Sequence, residues 1–113
     1  MANTIQYTRG DTYPVPVVVI NRATGNPYVP QAGDTITMTV RVNDHKGAIV
    51  IQKKTGDADV TATETGWTII LQPSDTSTLP YKNYVYDVQL DMAGVVKTVI
   101  PMSPFILDKE VTY

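Results

Sequence analysis

Apolar and polar residues alternate along several short stretches of this chain. The clearest alternation covers residues 35–42 and residues 84–91. A period of two indicates a half-buried β-strand, because successive side chains point to opposite sides of the pleat. Residues 67–71 show the same pattern. The apolar positions of these stretches are therefore predicted to face one core: Ile36, Met38, Val40, Val42, Trp67, Ile69, Leu71, Tyr84, Tyr86, Val88 and Leu90.

Weaker strand patterns lie at residues 4–8, 13–20, 48–53, 59–63, 95–100 and 105–111. Turn residues separate them, and Gly94 supplies the positive φ for a tight reversal before residue 95. Pro14 and Pro16 lack amide donors, which favours an edge position for their strand. A single helical turn is predicted at residues 74–76. About seven to nine short strands of this kind indicate an all-β fold, an antiparallel sandwich or barrel.

Composition narrows the class of protein. The chain has 113 residues, 42% of them apolar and 18% charged, and it contains no cysteine. This length predicts one domain over residues 1–113. A formal net charge of −2 with scattered basic residues gives no footprint for nucleic acid. The short apolar runs and an amino terminus without a signal sequence predict a soluble protein made in the cytoplasm, with no membrane span.

The polar residues do not form a recognisable catalytic or metal-binding set. His45 is the only histidine and lies in a charged hairpin loop, where a solvated side chain is expected. Asp57 and Asp59 alternate, but the further ligands of a calcium loop are missing around them. Arg9-Gly10-Asp11 is read as a turn between two strands rather than as an integrin ligand. We therefore predict that the protein is not an enzyme and holds no cofactor or metal.

Tyrosines are the remaining candidates for a contact surface. Tyr13, Tyr28 and Tyr81 lie next to prolines in predicted loops, and they are assigned as interface or ligand contacts. Residues 21–33 are predicted to form a long irregular connection that contributes to the interface. Flat aromatic side chains suit sugar faces as well as protein interfaces, so composition leaves both kinds of partner open.

The order of several segments along the chain resembles a known family. The segments are Arg9-Gly10-Asp11-Thr12, Gly25-Asn26-Pro27-Tyr28, residues 32–41, residues 67–76, residues 79–88, residues 94–100 and Phe105-Ile106-Leu107. Together they resemble the amino-terminal domain of bacteriophage baseplate upper proteins and small immunoglobulin-like tail proteins of phages and prophages. The most telling piece is the Asp75-Thr76 corner that leads to Tyr84-Val85-Tyr86-Asp87-Val88, which closes a β-sandwich in that family.

The resemblance implies an immunoglobulin-like β-sandwich with a structural function. It implies a non-enzymatic protein of a phage or prophage tail or baseplate, located in the virion after assembly in the host cytoplasm. Its partners would be other tail or baseplate proteins and further copies of the same chain. The alternative is a carbohydrate-binding module on the same fold that contacts a host glycan.

Overall fold

The computed structural model describes residues 4–20, 24–43, 46–80, 83–92 and 94–108. The predicted all-β architecture is confirmed, because these residues form eight strands and one short helix. The elements are β1 (Ile5–Thr8), β2 (Tyr13–Val18), β3 (Asp34–Val42), β4 (Ile49–Lys54), β5 (Val60–Ala62), β6 (Gly66–Leu71), α1 (Pro73–Thr76), β7 (Tyr84–Met92) and β8 (Val95–Asp108).

The strands form two sheets. Five strands pair in the order β1-β8-β7-β3-β4, and three pair in the order β2-β6-β5. The proline-bearing β2 lies at an edge, as its missing amide donors predict. One pairing differs from the predicted antiparallel pattern, since β1 runs parallel to β8. After β1 the chain crosses to the other sheet, where it forms β2. The first and last described strands, β1 and β8, lie side by side and run in the same direction.

The core lies between the two sheets, and the alternation predicts much of it, although Val42 is only partly buried. Ile36, Met38, Val40, Ile69, Leu71 and Val88 are completely buried. Trp67, Tyr84 and Tyr86 are each 3% exposed, which confirms them as core residues. Phe105 lies among tyrosines whose rings meet it edge-on, at centroid distances of 5.8–6.4 Å. This geometry is favourable for aromatic pairs.

The last strand is longer than predicted. Two strands with a break at the prolines were expected, but β8 runs without interruption through Pro101 and Pro104. Its pairing with β7 shifts register between Tyr86 and Val88 and again between Val88 and Gln89. Pro101 falls in the first of these irregularities, where a ladder hydrogen bond is already lost and proline is tolerated.

The turn at Arg9-Gly10-Asp11 packs against the helix end. The Asp11 amide donates to the Thr8 carbonyl at 3.1 Å, which confirms the predicted turn. The Gly10 amide donates to the hydroxyl of buried Thr76 at 2.8 Å, and Arg9 Nη1 donates to the Leu79 carbonyl at 3.0 Å. These bonds hold the turn between β1 and β2 against α1 and the residues that follow it.

Candidate protein-contact site

An open apolar groove of about 290 Å³ lies between the end of β2 and the β7–β8 hairpin. We call it the end groove. One side comes from the segment after β2, and the other comes from the two hairpin strands. Its lining residues are Val19, Ile20, Tyr28, Leu90, Met92, Lys97 and Val99.

The hairpin register explains how Lys97 reaches this groove. Leu90 pairs with Lys97, and Met92 pairs with Val95. Directly opposed residues of antiparallel strands share a face of the sheet. Leu90 is buried on the core face, so Lys97 and Val95 belong to the same face. The end groove is thus an extension of the core that is not covered by the second sheet.

Tyr28 forms a fixed wall of the groove. Its ring stacks on Trp67 with a centroid distance of 6.4 Å, and its amide donates to the Val19 carbonyl. Its hydroxyl donates to Asp34 Oδ2 at 2.6 Å, and the Gln31 amide donates to the same oxygen at 2.9 Å. The hydrogen bond to Asp34 raises the pKa of Tyr28. These contacts fix Tyr28 and Gln31 within the segment that is predicted to contribute to an interface.

Exposed aliphatic side chains flank the end groove. Ile20 lines it and is 49% exposed, and Val95, opposite the groove residue Met92, is 55% exposed. Val18, Val29 and Val96 are also more than half exposed, but Val96 lies on the opposite face of the sheet from Val95 and Lys97. Exposed apolar surface concentrated around a concave feature is typical of an interaction site.

The three tyrosines predicted as contacts do not meet at one site. Tyr28 lines the end groove, whereas Tyr81 lies outside the described residues. Tyr13 is the first residue of β2 rather than part of a loop, at the opposite end of the strand from Val18. Its ring is half-buried and stacks on Tyr7 at 4.6 Å. Proline neighbours therefore did not indicate a free side chain, because Pro14 lies within the strand itself.

Most groove residues were not assigned to a site from the sequence. Leu90 was predicted as core, and Lys97 was not singled out. The signal was nevertheless present, because pairing of Met92 with Val95 across a tight reversal also pairs Leu90 with Lys97. The sequence does not predict the end groove itself, because the groove depends on where the second sheet ends.

The acidic residues considered as cation ligands have other partners. Asp59 accepts hydrogen bonds from Lys53 Nζ and Gln72 Nε2, both at 2.8 Å. Asp57 accepts the Lys54 amide at 2.9 Å. Within the described ranges no group of three or more histidine, cysteine or acidic side chains could hold a metal ion. His45 lies outside those ranges.

No protein-family model, curated protein or solved structure matches the chain. In the part of the chain that the structure describes, no helix is long and apolar enough to span a membrane.

Proposed function

We propose that this protein is a non-enzymatic structural component of a phage or prophage tail or baseplate and acts through protein–protein contacts. The observation that carries the proposal is the end groove with its flanking exposed aliphatic side chains. The buried centre of a protein interface is apolar and well packed, and it is usually built around pockets that receive anchor side chains. A groove of this size with an apolar rim offers such a centre.

The strand order supports the immunoglobulin-like part of the proposal. In immunoglobulin domains, strands B, E and D share one sheet, and strands C, F and G share the other, with C′ added in variable domains. The order β2-β6-β5 corresponds to B-E-D, and β8-β7-β3-β4 corresponds to G-F-C-C′. The parallel β1 lies at the free side of the strand that corresponds to G.

A second feature independently supports the same assignment. Tyr84 is the first residue of β7, and its hydroxyl donates to the Pro80 carbonyl at 2.6 Å. Immunoglobulin-like sandwiches have a tyrosine near the start of strand F that bonds back to the backbone a few residues upstream. This tyrosine corner occupies the segment in which the resemblance to phage tail domains is most telling.

The other corner residues also have structural roles. Asp75 Oδ2 accepts the Gln72 amide at 2.7 Å and pairs with Lys53 Nζ at 2.9 Å. Thr76 is fully buried and accepts the Gly10 amide. A corner at which Asp75, Thr76 and Tyr84 hold the sandwich together suits a scaffold domain, and this supports the proposed structural function.

Carbohydrate binding is the second candidate, and the position of Tyr28 in the end groove favours it. A sugar would need an open face of that ring, and one face already stacks on Trp67. Glycan-array binding that disappears in Tyr28→Ala and persists in Tyr13→Ala would support a sugar site. An array without any bound glycan would remove this candidate.

The test of the leading proposal is the solution mass of the untagged protein by multi-angle light scattering at low and high concentration. We expect self-association, and a closed trimer, hexamer or larger ring would support a virion component, because heterologous contacts generate closed rings. A strict monomer that also binds no phage tail protein would overturn the proposal.

A further inference from the structure

We propose that the first half of β8, together with the end groove, accepts an extended strand from another protein subunit, which adds to the five-stranded sheet. This inference deepens the proposed function and rests on it. It names the kind of partner: a strand with apolar side chains at alternate positions and a carboxylate facing Lys97.

The first half of β8 has an open edge. On one side β7 pairs with β8 along most of its length. On the other side β1 pairs only with residues 105–108. Within the described ranges, no strand pairs with residues 95–104 on the β1 side. Outward-pointing amide and carbonyl groups of such an edge are a template for an added strand.

This edge is less protected than two of the other edges. Edge strand β2 carries Pro14 and Pro16, and edge strand β4 carries adjacent lysines at 53 and 54. Residues 95–100, in contrast, read Val-Val-Lys-Thr-Val-Ile, with one charge and no glycine or proline. Val95 and Val96 are 55% and 57% exposed. β-Branched residues at an open edge favour strand addition.

The end groove lies on the core side of this edge. Side chains of an added strand alternate between the two faces of the sheet, so every second one would point toward the groove. Val19, Leu90, Met92 and Val99 make the lining apolar, and among the described residues that line the groove Lys97 alone is charged. Charge and shape together select an apolar side chain for the groove and a carboxylate near Lys97.

A second copy of the same edge fits less well. Antiparallel pairing of two copies about Lys97 would set two lysines opposite each other, which is unfavourable. Pairing about Thr98 would set Val96 against Ile100. These residues lie on opposite faces, because Val96 pairs with Asp91 and Ile100 pairs with buried Val88. A donor strand of different sequence avoids both conflicts.

The experiment is a selection of displayed random twelve-residue peptides against the full chain, followed by affinity measurements with the synthesised peptides. We expect enriched peptides to alternate apolar residues and to carry Asp or Glu. Lys97→Glu should weaken them at least tenfold, and reselection on that variant should enrich Lys or Arg instead. Lys54→Glu, on edge strand β4 of the same sheet, is the matched control and should bind as the unmodified protein does.

Hydrogen exchange locates the peptide. A bound strand should slow amide exchange within residues 95–100 and leave β4 unchanged. The proposal is overturned if no peptide is enriched, if Lys97→Glu binds the peptides equally well, or if the protected amides lie elsewhere. It is also overturned if no peptide binds and Val96→Lys dissociates an oligomer, since the occupant is then the same edge of a second copy. In each of these cases, an oligomer seen by light scattering would still support the proposed structural function.

Discussion

The hydroxyl of Tyr84 donates a hydrogen bond to the carbonyl oxygen of Pro80 at 2.6 Å. It ties the start of β7 to the backbone that follows α1. The Tyr84 ring is 3% exposed and meets Phe105 edge-on, with a centroid distance of 6.4 Å. One side chain therefore fixes the corner between the two sheets and fills the core beneath it.

We expect Tyr84→Phe to lower the free energy of unfolding by about 1 kcal/mol, because it leaves a carbonyl without its donor and keeps the ring. Urea denaturation measures the change. Tyr7→Phe is the matched control. Burial raises the pKa of Tyr7 to about 12, and its hydroxyl lies beside Thr76 but makes no hydrogen bond of normal geometry with a described residue. Removing the Tyr7 hydroxyl should therefore leave stability unchanged or raise it. An equal loss of unfolding free energy in Tyr7→Phe and Tyr84→Phe would contradict this account.

Lys53 joins the edge of the larger sheet to the opposite layer. Its Nζ lies 2.8 Å from Asp59 Oδ2 and 2.9 Å from Asp75 Oδ2, and its side chain is 11% exposed. We expect Lys53→Met to lose about 2 kcal/mol of stability, since two carboxylates would remain partly buried without their cation. Lys54→Met removes the same charge from an exposed neighbour and should change stability by less than about 0.5 kcal/mol. A similar loss in both would show that the ion pairs do not stabilise the fold.

Acid should weaken the same contact. The hydrogen bond from Lys53, and then that from Gln72, lowers the pKa of Asp59 below its ordinary 3.8. A carboxyl with a depressed pKa in the folded state stabilises the protein above its ordinary pKa, and this stability is lost as pH falls through the folded value. Unfolding free energy measured from pH 6 to pH 2.5 should therefore fall below about pH 4. Asp59→Asn should be less stable at pH 6 and show a smaller acid loss, and an unchanged acid loss would contradict the assignment.

Gly66 permits a close approach of β6 to β2. It has φ of 151°, and a Cβ at this position would lie 1.9 Å from the carbonyl oxygen of Val17. We expect Gly66→Ala to unfold the protein or to lower its midpoint in thermal melting far more than Gly94→Ala does. Gly94 also has positive φ, but a Cβ there meets nothing within 4 Å, so only about 1 kcal/mol of backbone strain is expected. Similar midpoints for the two variants would show that β2 and β6 can separate here.

Much of the fold follows from the sequence because alternation reports burial directly. Each apolar position of the 84–91 pattern lies in the core, and the reversal at Gly94 sets the β7–β8 register. The continuity of β8 through its prolines did not follow, since it depends on irregular pairing with β7 that no local pattern encodes. The parallel β1–β8 contact joins strands about a hundred residues apart, so only the folded chain determines it.

The candidate site was less accessible to sequence reasoning. Tyr28 was assigned correctly to a loop, and the structure places it in the end groove. Tyr13 shared the same proline context but belongs to a strand, because β2 accommodates proline on its open edge. The groove lies where the second sheet does not cover the core face of the β7–β8 hairpin, and the open edge beside it exists because β1 pairs only with residues 105–108. Both features depend on the lengths of strands in the two sheets, and no sequence motif encodes them.

The most direct test of the proposed structural function is sedimentation velocity over a range of concentrations for three proteins: the unmodified chain, Ile20→Lys and Ile49→Lys. Ile20 lines the end groove and is 49% exposed, and Ile49 is 48% exposed on β4, so the two substitutions are matched in chemistry and exposure. We expect the unmodified chain and Ile49→Lys to associate through a heterologous contact, in which the end groove of one copy meets a different surface of the next, and Ile20→Lys to remain a monomer. Association that survives equally in both variants, or a monomer in all three, would contradict the end groove as the contact site.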